Sequence, residues 1–142
     1  MQPIFTLPMV VRDYECDIQG IVNNAVYQHY NEHCRSCFIA SLGIEFADLH
    51  ERGVDVVVAQ LNMRSKTTHR PGDKFDGRLA LEKQGHRNVF HQEIARLADE
   101  KRALKDSSYQ KEVLSLRAQT DIVTIINGRL SDCPELNEKF GL

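Results

Sequence analysis

Asp17, Gly20 and the pair Asn23–Asn24 stand close together in a segment that reads V-R-D-Y-E-C-D-I-Q-G-I-V-N-N-A-V-Y-Q-H-Y-N-E from Val11 to Glu32. A strand ending in a carboxylate, a glycine turn and an asparagine that can open a helix bring one acid near unpaired backbone N–H groups. That is a minimal kit for acyl transfer: the acid attacks or activates water, and the helix start holds the developing oxyanion. Two other patterns could do chemistry. His29 and His33 are spaced i, i+4, as metal ligands on a helix can be, but nothing nearby in the chain offers a third ligand. Cys34 and Cys37 form a CxxC with no second CxxC and no histidine pair at zinc spacing, so they read as core cysteines, and no metal is expected.

These residues need a helix and a sheet to position them. From Ala25 to Leu42 there is no Pro or Gly, and Val26, Tyr30, Cys34, Cys37 and Phe38 recur at helical steps. Asn23 or Asn24 is a good N-cap and Gly43 a good stop. A helix of about 18 residues spans roughly 27 Å, enough to cross a small sheet. Ile4–Arg12 reads as an edge strand, since Pro3 and Pro8 argue against a central one. Gly43–Gly53 reads as a connection with a short helical piece. Strand-like segments follow at 54–68, 74–83, 89–98 and 113–127, with turns at Pro71–Asp73 and Gln84–His86. The last strand alternates, Leu114, Leu116, Ala118, Thr120, Ile122, Thr124 and Ile126 against Ser115, Arg117, Gln119 and Asp121. The charged stretch 99–110 reads as a long hairpin loop or partly as an extension of the flanking strands, and the tail with Pro134 as surface coil. One helix followed by antiparallel strands predicts an α+β domain over 1–142. With a single long helix to cover the strands, sheets from two chains are expected to meet.

The chain has 142 residues, 42% hydrophobic, with a net charge of −2 and a pI near 6.3. That size suits one domain with its own core, and the charge makes no electrostatic case for nucleic acid or anionic membrane. No apolar run approaches the roughly 18 residues of a membrane span, and the N-terminus has no secretory pattern. A cytoplasmic location is therefore the expectation.

The run Asp17-Ile18-Gln19-Gly20-Ile21-Val22-Asn23-Asn24-Ala25-Val26-Tyr27, with Glu32 and Arg35 beyond it, resembles the signature of hot-dog fold acyl-CoA thioesterases, of the 4-hydroxybenzoyl-CoA and Tol–Pal-associated type. The V-N-N-x-x-Y portion also resembles acyl-carrier-protein thioesterases. Looser likenesses are a G-D turn at His69–Asp73, a turn at Gly85–Arg87 and a final strand ending in Asn127-Gly128-Arg129. The resemblance implies a curved antiparallel sheet wrapped around one long central helix, and a homodimer or dimer of dimers with the active site at the subunit interface.

It implies an acyl-CoA thioester hydrolase that releases a carboxylic acid and free coenzyme A, with no cofactor, because coenzyme A belongs to the substrate. The family acid maps to Asp17, as nucleophile or general base, and the backbone N–H that polarises the thioester carbonyl maps to Asn24. Arg87, Asn88 and Arg129 are candidates for the coenzyme A phosphates, Phe90, Val58 and Tyr27 for an acyl tunnel, and Glu32 for a structural role. The chain departs from its relatives at Asn24, where Tol–Pal-associated members carry His, and at Asp13, where they carry Tyr. It also has Gln19 and Ile21 where carrier-protein enzymes place Asn and His. The alternatives are an acyl-carrier-protein thioesterase and a non-catalytic thioester-binding hot-dog module.

Overall fold

In a computed structural model describing residues Met1 to Leu142, the long helix α1 (Asn24–Ser41) starts at Asn23. The Asn23 backbone is extended and its Oδ1 accepts the Ala25 N–H at 3.0 Å, the bond expected of an N-cap. The buried stripe is Tyr27, Tyr30, Asn31, Cys34, Phe38 and Ile39. It is rotated slightly from the apolar pattern of the sequence, because Tyr27 and Asn31 bring polar groups inside. An N-terminal strand β1 (Phe5–Val10) precedes α1, and a short helix α2 (Phe46–Glu51) and the long strand β2 (Val54–Ser65) follow.

The remaining strands are β3 (Lys74–Gln84), β4 (Arg87–Arg96), β5 (Val113–Ile126) and the short β6 (Arg129–Leu130). They form one antiparallel sheet in the order β1-β3-β4-β5-β2, with β6 added on β5. α1 lies against the inner face. At Gly77 a side chain would put its Cβ 2.7 Å from Met9 Cε and 3.3 Å from Cys34 Sγ, so glycine is what lets β3 approach the helix this closely. β4 is central and fully buried at Val89, Phe90, Ile94 and Ala95, which is why its alternation is weak in the sequence.

The core has two halves along α1. Tyr27, Tyr30, Phe75, Ile94 and Leu116 pack near its N-terminus with Val11 and Val22. Cys34, Phe38, Leu79, Phe90 and Ile122 pack near its C-terminus. A polar layer separates them: Arg35 Nη1 donates to Gln92 Oε1 at 2.8 Å and Thr120 Oγ1 at 3.2 Å, and Gln92 Nε2 donates to Asn31 O at 3.0 Å.

One expectation is corrected. The tail is not surface coil: helix α4 (Pro134–Phe140) inserts Leu136 and Phe140 into the second half of the core, and Cys133 is buried beside them. The stretch 99–110 is the long hairpin connection between β4 and β5, and it is folded rather than extended. Asp99 caps a short helix α3 (Glu100–Ala103), Asp106 caps a 3-10 turn (Ser107–Gln110), and Tyr109 is buried. Replacing Leu136 with Ala should therefore cost about 2–5 kcal/mol in urea unfolding, whereas the exposed Leu104→Ala should shift stability by no more than about 0.5 kcal/mol.

Candidate active site

Asp17 sits at the mouth of a small closed loop. Cys16 and Val22 form an antiparallel bridge. Inside it, Asp17 N–H donates to Ile21 O at 2.9 Å and Gly20 N–H to Asp17 O at 3.0 Å. Gly20 adopts φ +75°, the left-handed conformation that lets so few residues reverse the chain. The carboxylate is fixed by backbone: Asp17 Oδ1 accepts the Gln19 N–H at 2.8 Å and the Ile21 N–H at 3.4 Å. Its second oxygen takes no bond within the chain, and the residue is exposed.

Two residues past the bridge the helix begins. Asn23 Oδ1 takes the Ala25 N–H and Asn23 O takes the Val26 N–H at 2.9 Å, leaving the Asn24 N–H as the free donor of the first turn. Glu15 braces one side: its backbone O accepts the Asn23 N–H at 3.2 Å, and its Oε1 accepts Arg12 N–H at 2.8 Å and Tyr30 OH at 2.9 Å. Burial, followed by the Glu15 bond, pushes the Tyr30 phenol far above its ordinary value, so it stays a donor.

His69 braces the other side; the sequence marked it only as the first residue of a turn. Its backbone O accepts the Val22 N–H at 2.9 Å and its N–H donates to Tyr27 OH at 2.9 Å. The turn carrying it is held by the fully buried Asp73, which accepts Arg70 N–H at 3.0 Å, Tyr109 OH at 2.6 Å and the Arg102 guanidinium. Val11 N–H donates to Asp73 O and Gly72 N–H to Val11 O, both at 2.9 Å, tying this turn to the end of β1. The resemblance to a G-D turn pointed here, but not to the Arg102 and Tyr109 partners, which are distant in sequence.

The other candidates do not gather around Asp17 within one chain. Arg87 and Asn88 start β4, while the Asp17 loop adjoins the opposite end of the sheet, near Lys74 and Arg96. Arg87 and Arg96 are nine strand steps apart, about 30 Å. Arg87 pairs with Asp121 at 2.8 Å, and the buried Asn88 donates to Asn137 Oδ1 at 3.0 Å. Arg129 lies at that far end too, on β6. Tyr27 and Phe90 are core residues, whereas Val58 on β2 is 57% exposed. Glu32 is exposed on α1. His29 and His33 line an open groove of about 590 Å³ between α1 and β1 that also touches Arg12, Glu15 and Phe75. His33 Nε2 lies 3.7 Å from Cys37 Sγ.

Residues 19–101, more than half of the chain, match the thioesterase superfamily family model, and the chain belongs to that superfamily. It is 39% identical over 75 residues to the chloroplast acyl-acyl carrier protein thioesterase ATL3 of Arabidopsis thaliana, a match covering 53% of this chain and 40% of the plant protein. The chain thus spans well under half of that relative. In fold it is similar to a 1,4-dihydroxy-2-naphthoyl-CoA thioesterase from Synechocystis (TM-score 0.79, 18% identity, 96% of this chain and 95% of the other). It is also similar to a 4-hydroxybenzoyl-CoA thioesterase bound to 4-hydroxybenzoyl-CoA (TM-score 0.78, 15% identity, 96% of each chain). The fold is the hot-dog fold: a curled antiparallel sheet around a helix.

Burial lowers the His69 pKa to about 4, with Asp73 opposing the shift and Arg96 adding to it. An unfolded histidine titrates near 6.5. Between those values the unfolded chain takes up a proton that the folded chain refuses. The stability is therefore full above about pH 6.5 and falls as pH drops toward 4, by up to about 3 kcal/mol. His69→Gln should flatten that part of the curve of unfolding midpoint against pH; an undiminished slope would assign it to other groups.

Proposed function

We propose that this protein hydrolyses acyl thioesters of coenzyme A at the Asp17 loop. The observation that carries the reading is the pairing of a backbone-fixed carboxylate with one free oxygen and a helix-start N–H with no acceptor. The thioester oxygen accepts the Asn24 N–H, which stabilises the charge that develops on it. Asp17 then acts in one of two ways. As nucleophile, its free oxygen attacks the carbonyl carbon, the C–S bond breaks, and water cleaves the mixed anhydride to the carboxylic acid. As general base, it takes a proton from water as the water oxygen attacks, and the tetrahedral intermediate expels the thiolate.

The exposure of Asp17 supports a site completed by a second copy. β2 is a sheet edge paired only with β5, with Val57 and Val58 40% and 57% exposed, and it suits association into a homodimer or dimer of dimers. Arg87 and Arg129 would meet coenzyme A phosphates near Asp17 only from another subunit, whereas Asn88, buried against Asn137, is not free to do so. The match to the Arabidopsis carrier-protein thioesterase favours a second reading, in which the acyl group arrives on acyl carrier protein.

Thiol release from a panel of acyl-CoA esters and acyl-carrier proteins tests both. Asp17→Asn keeps the Oδ1 acceptor for Gln19 and Ile21, so it should fold normally while losing at least about 100-fold in kcat. Equal activity of the two proteins would remove the mechanism. Asn24→Ala should keep most activity, since the backbone N–H remains; a loss of about several hundred-fold would make the side chain a participant. In single-turnover hydrolysis in oxygen-18 water, label in the Asp17 carboxylate marks it as the nucleophile with water attacking its carbonyl in the anhydride, whereas label in the product alone fits a general base or water attack at the acyl carbon.

A further inference from the structure

Ser115 is an extra residue in β5. Ile94 pairs with Leu116 and Ala95 with Leu114, so Ser115 bulges out of the ladder between them. Its backbone O accepts the Lys66 N–H at 2.7 Å and the Thr67 N–H at 3.3 Å, which roots the segment leading to His69. Its side chain turns into the interior, where Ser115 Oγ lies 2.6 Å from His69 Nε2 and both residues are completely buried. Ser115 Oγ is also 3.3 Å from Val113 O. With the hydroxyl donating to Val113 O, His69 Nε2–H donates to Ser115 Oγ, and the atom left unmatched is the Nδ1 lone pair. The imidazole is wedged edge-on between Tyr27 and Phe75, with ring centres 5.7 Å and 5.3 Å away.

An apolar side chain could fill this space without burying an unmatched ring nitrogen. What only the His69–Ser115 pair supplies is a fixed distance between β5 and the His69 backbone. That backbone grips the chain on either side of Asn24, at Val22 and at the Tyr27 hydroxyl. We propose that His69, braced on the Ser115 hydroxyl, is a positioning residue for the thioester oxygen site, setting the direction of the Asn24 N–H through Val22 and Tyr27. The role rests on the thioester-hydrolase reading above. A donor aimed at an oxyanion works through its direction, so a slackened brace lowers turnover more than binding.

Three variants, Ser115→Ala, His69→Leu and His69→Gln, test this by steady-state kinetics and amide hydrogen exchange. Ser115→Ala and His69→Leu should each lower kcat about tenfold with KM within about twofold. His69→Gln, a neutral side chain with a donor that can reach Ser115, should recover most of the loss. The Val22 amide should exchange about tenfold faster in Ser115→Ala, independently of any substrate. If His69→Leu does not fold, Ser115→Ala decides alone. Wild-type kcat in folded Ser115→Ala, or a rise in KM with kcat intact, overturns the positioning role. Unchanged Val22 exchange overturns the brace itself, whereas absence of thiol release from the wild type would remove the hydrolase reading and leave the brace standing on its exchange data.

Discussion

The first turn of a helix has N–H groups that the helix cannot satisfy, so its direction must be set from outside. In this protein that support comes from Glu15 and from the His69 backbone, the latter bonded to Val22 on one side of the helix start and to Tyr27 on the other. Behind it stands a chain of further contacts. Arg102 and Tyr109 hold Asp73, Asp73 holds the Arg70 N–H, and the turn so formed carries His69. Asp73 is buried and needs its partners, because a buried carboxylate left alone is strongly destabilising. The short excursion from Asp99 to Gln110 therefore carries a structural task, closing a cation and a phenol over that carboxylate.

The same economy appears deeper in the core. Arg35 is half-buried with neutral acceptors, Gln92 and Thr120, and its guanidinium is pushed below its ordinary value by burial, with Glu32 opposing. The polar layer it forms with Asn31 splits the apolar contacts of α1 into two halves. Asn31 Oδ1 has no partner there, so the layer costs free energy that the flanking aromatic and aliphatic packing offsets. The sheet edges also differ. β1 carries Pro8 and blocks further pairing, whereas β2 leaves a row of backbone groups and two valines open.

Much of the fold was legible because it is local. Asn23, the Pro-free run and Gly43 defined α1, and the alternation Phe75, Gly77, Leu79 and Leu114 through Ile126 defined β3 and β5 within a residue or two. The tail helix was missed although its signals are present: Pro134 at the first helical position, Leu136 and Phe140 four apart, and Gly141 past the end. They span too few residues to outweigh a proline read as a breaker. Ser115 and Asp121 fell on the polar side of β5 by period, yet both are buried, since a bulge turns one and Arg87 and Gln119 bond the other.

By itself, the sequence determined the loop that presents the Asp17 carboxylate and the helix that follows it, because carboxylate, glycine turn and cap lie within one short segment whose geometry is set by its own backbone bonds. Only the tertiary structure decided which residues support that segment. His69, Ser115, Asp73, Arg102 and Tyr109 come from β5 and two separate loops, and no period or spacing links them. The sheet register and one bulge bring them together, and these follow from packing of the whole sheet rather than from any local pattern. The same register places Arg87 and Asn88 at the far end of the chain's own sheet, a distance that residue type alone could not reveal.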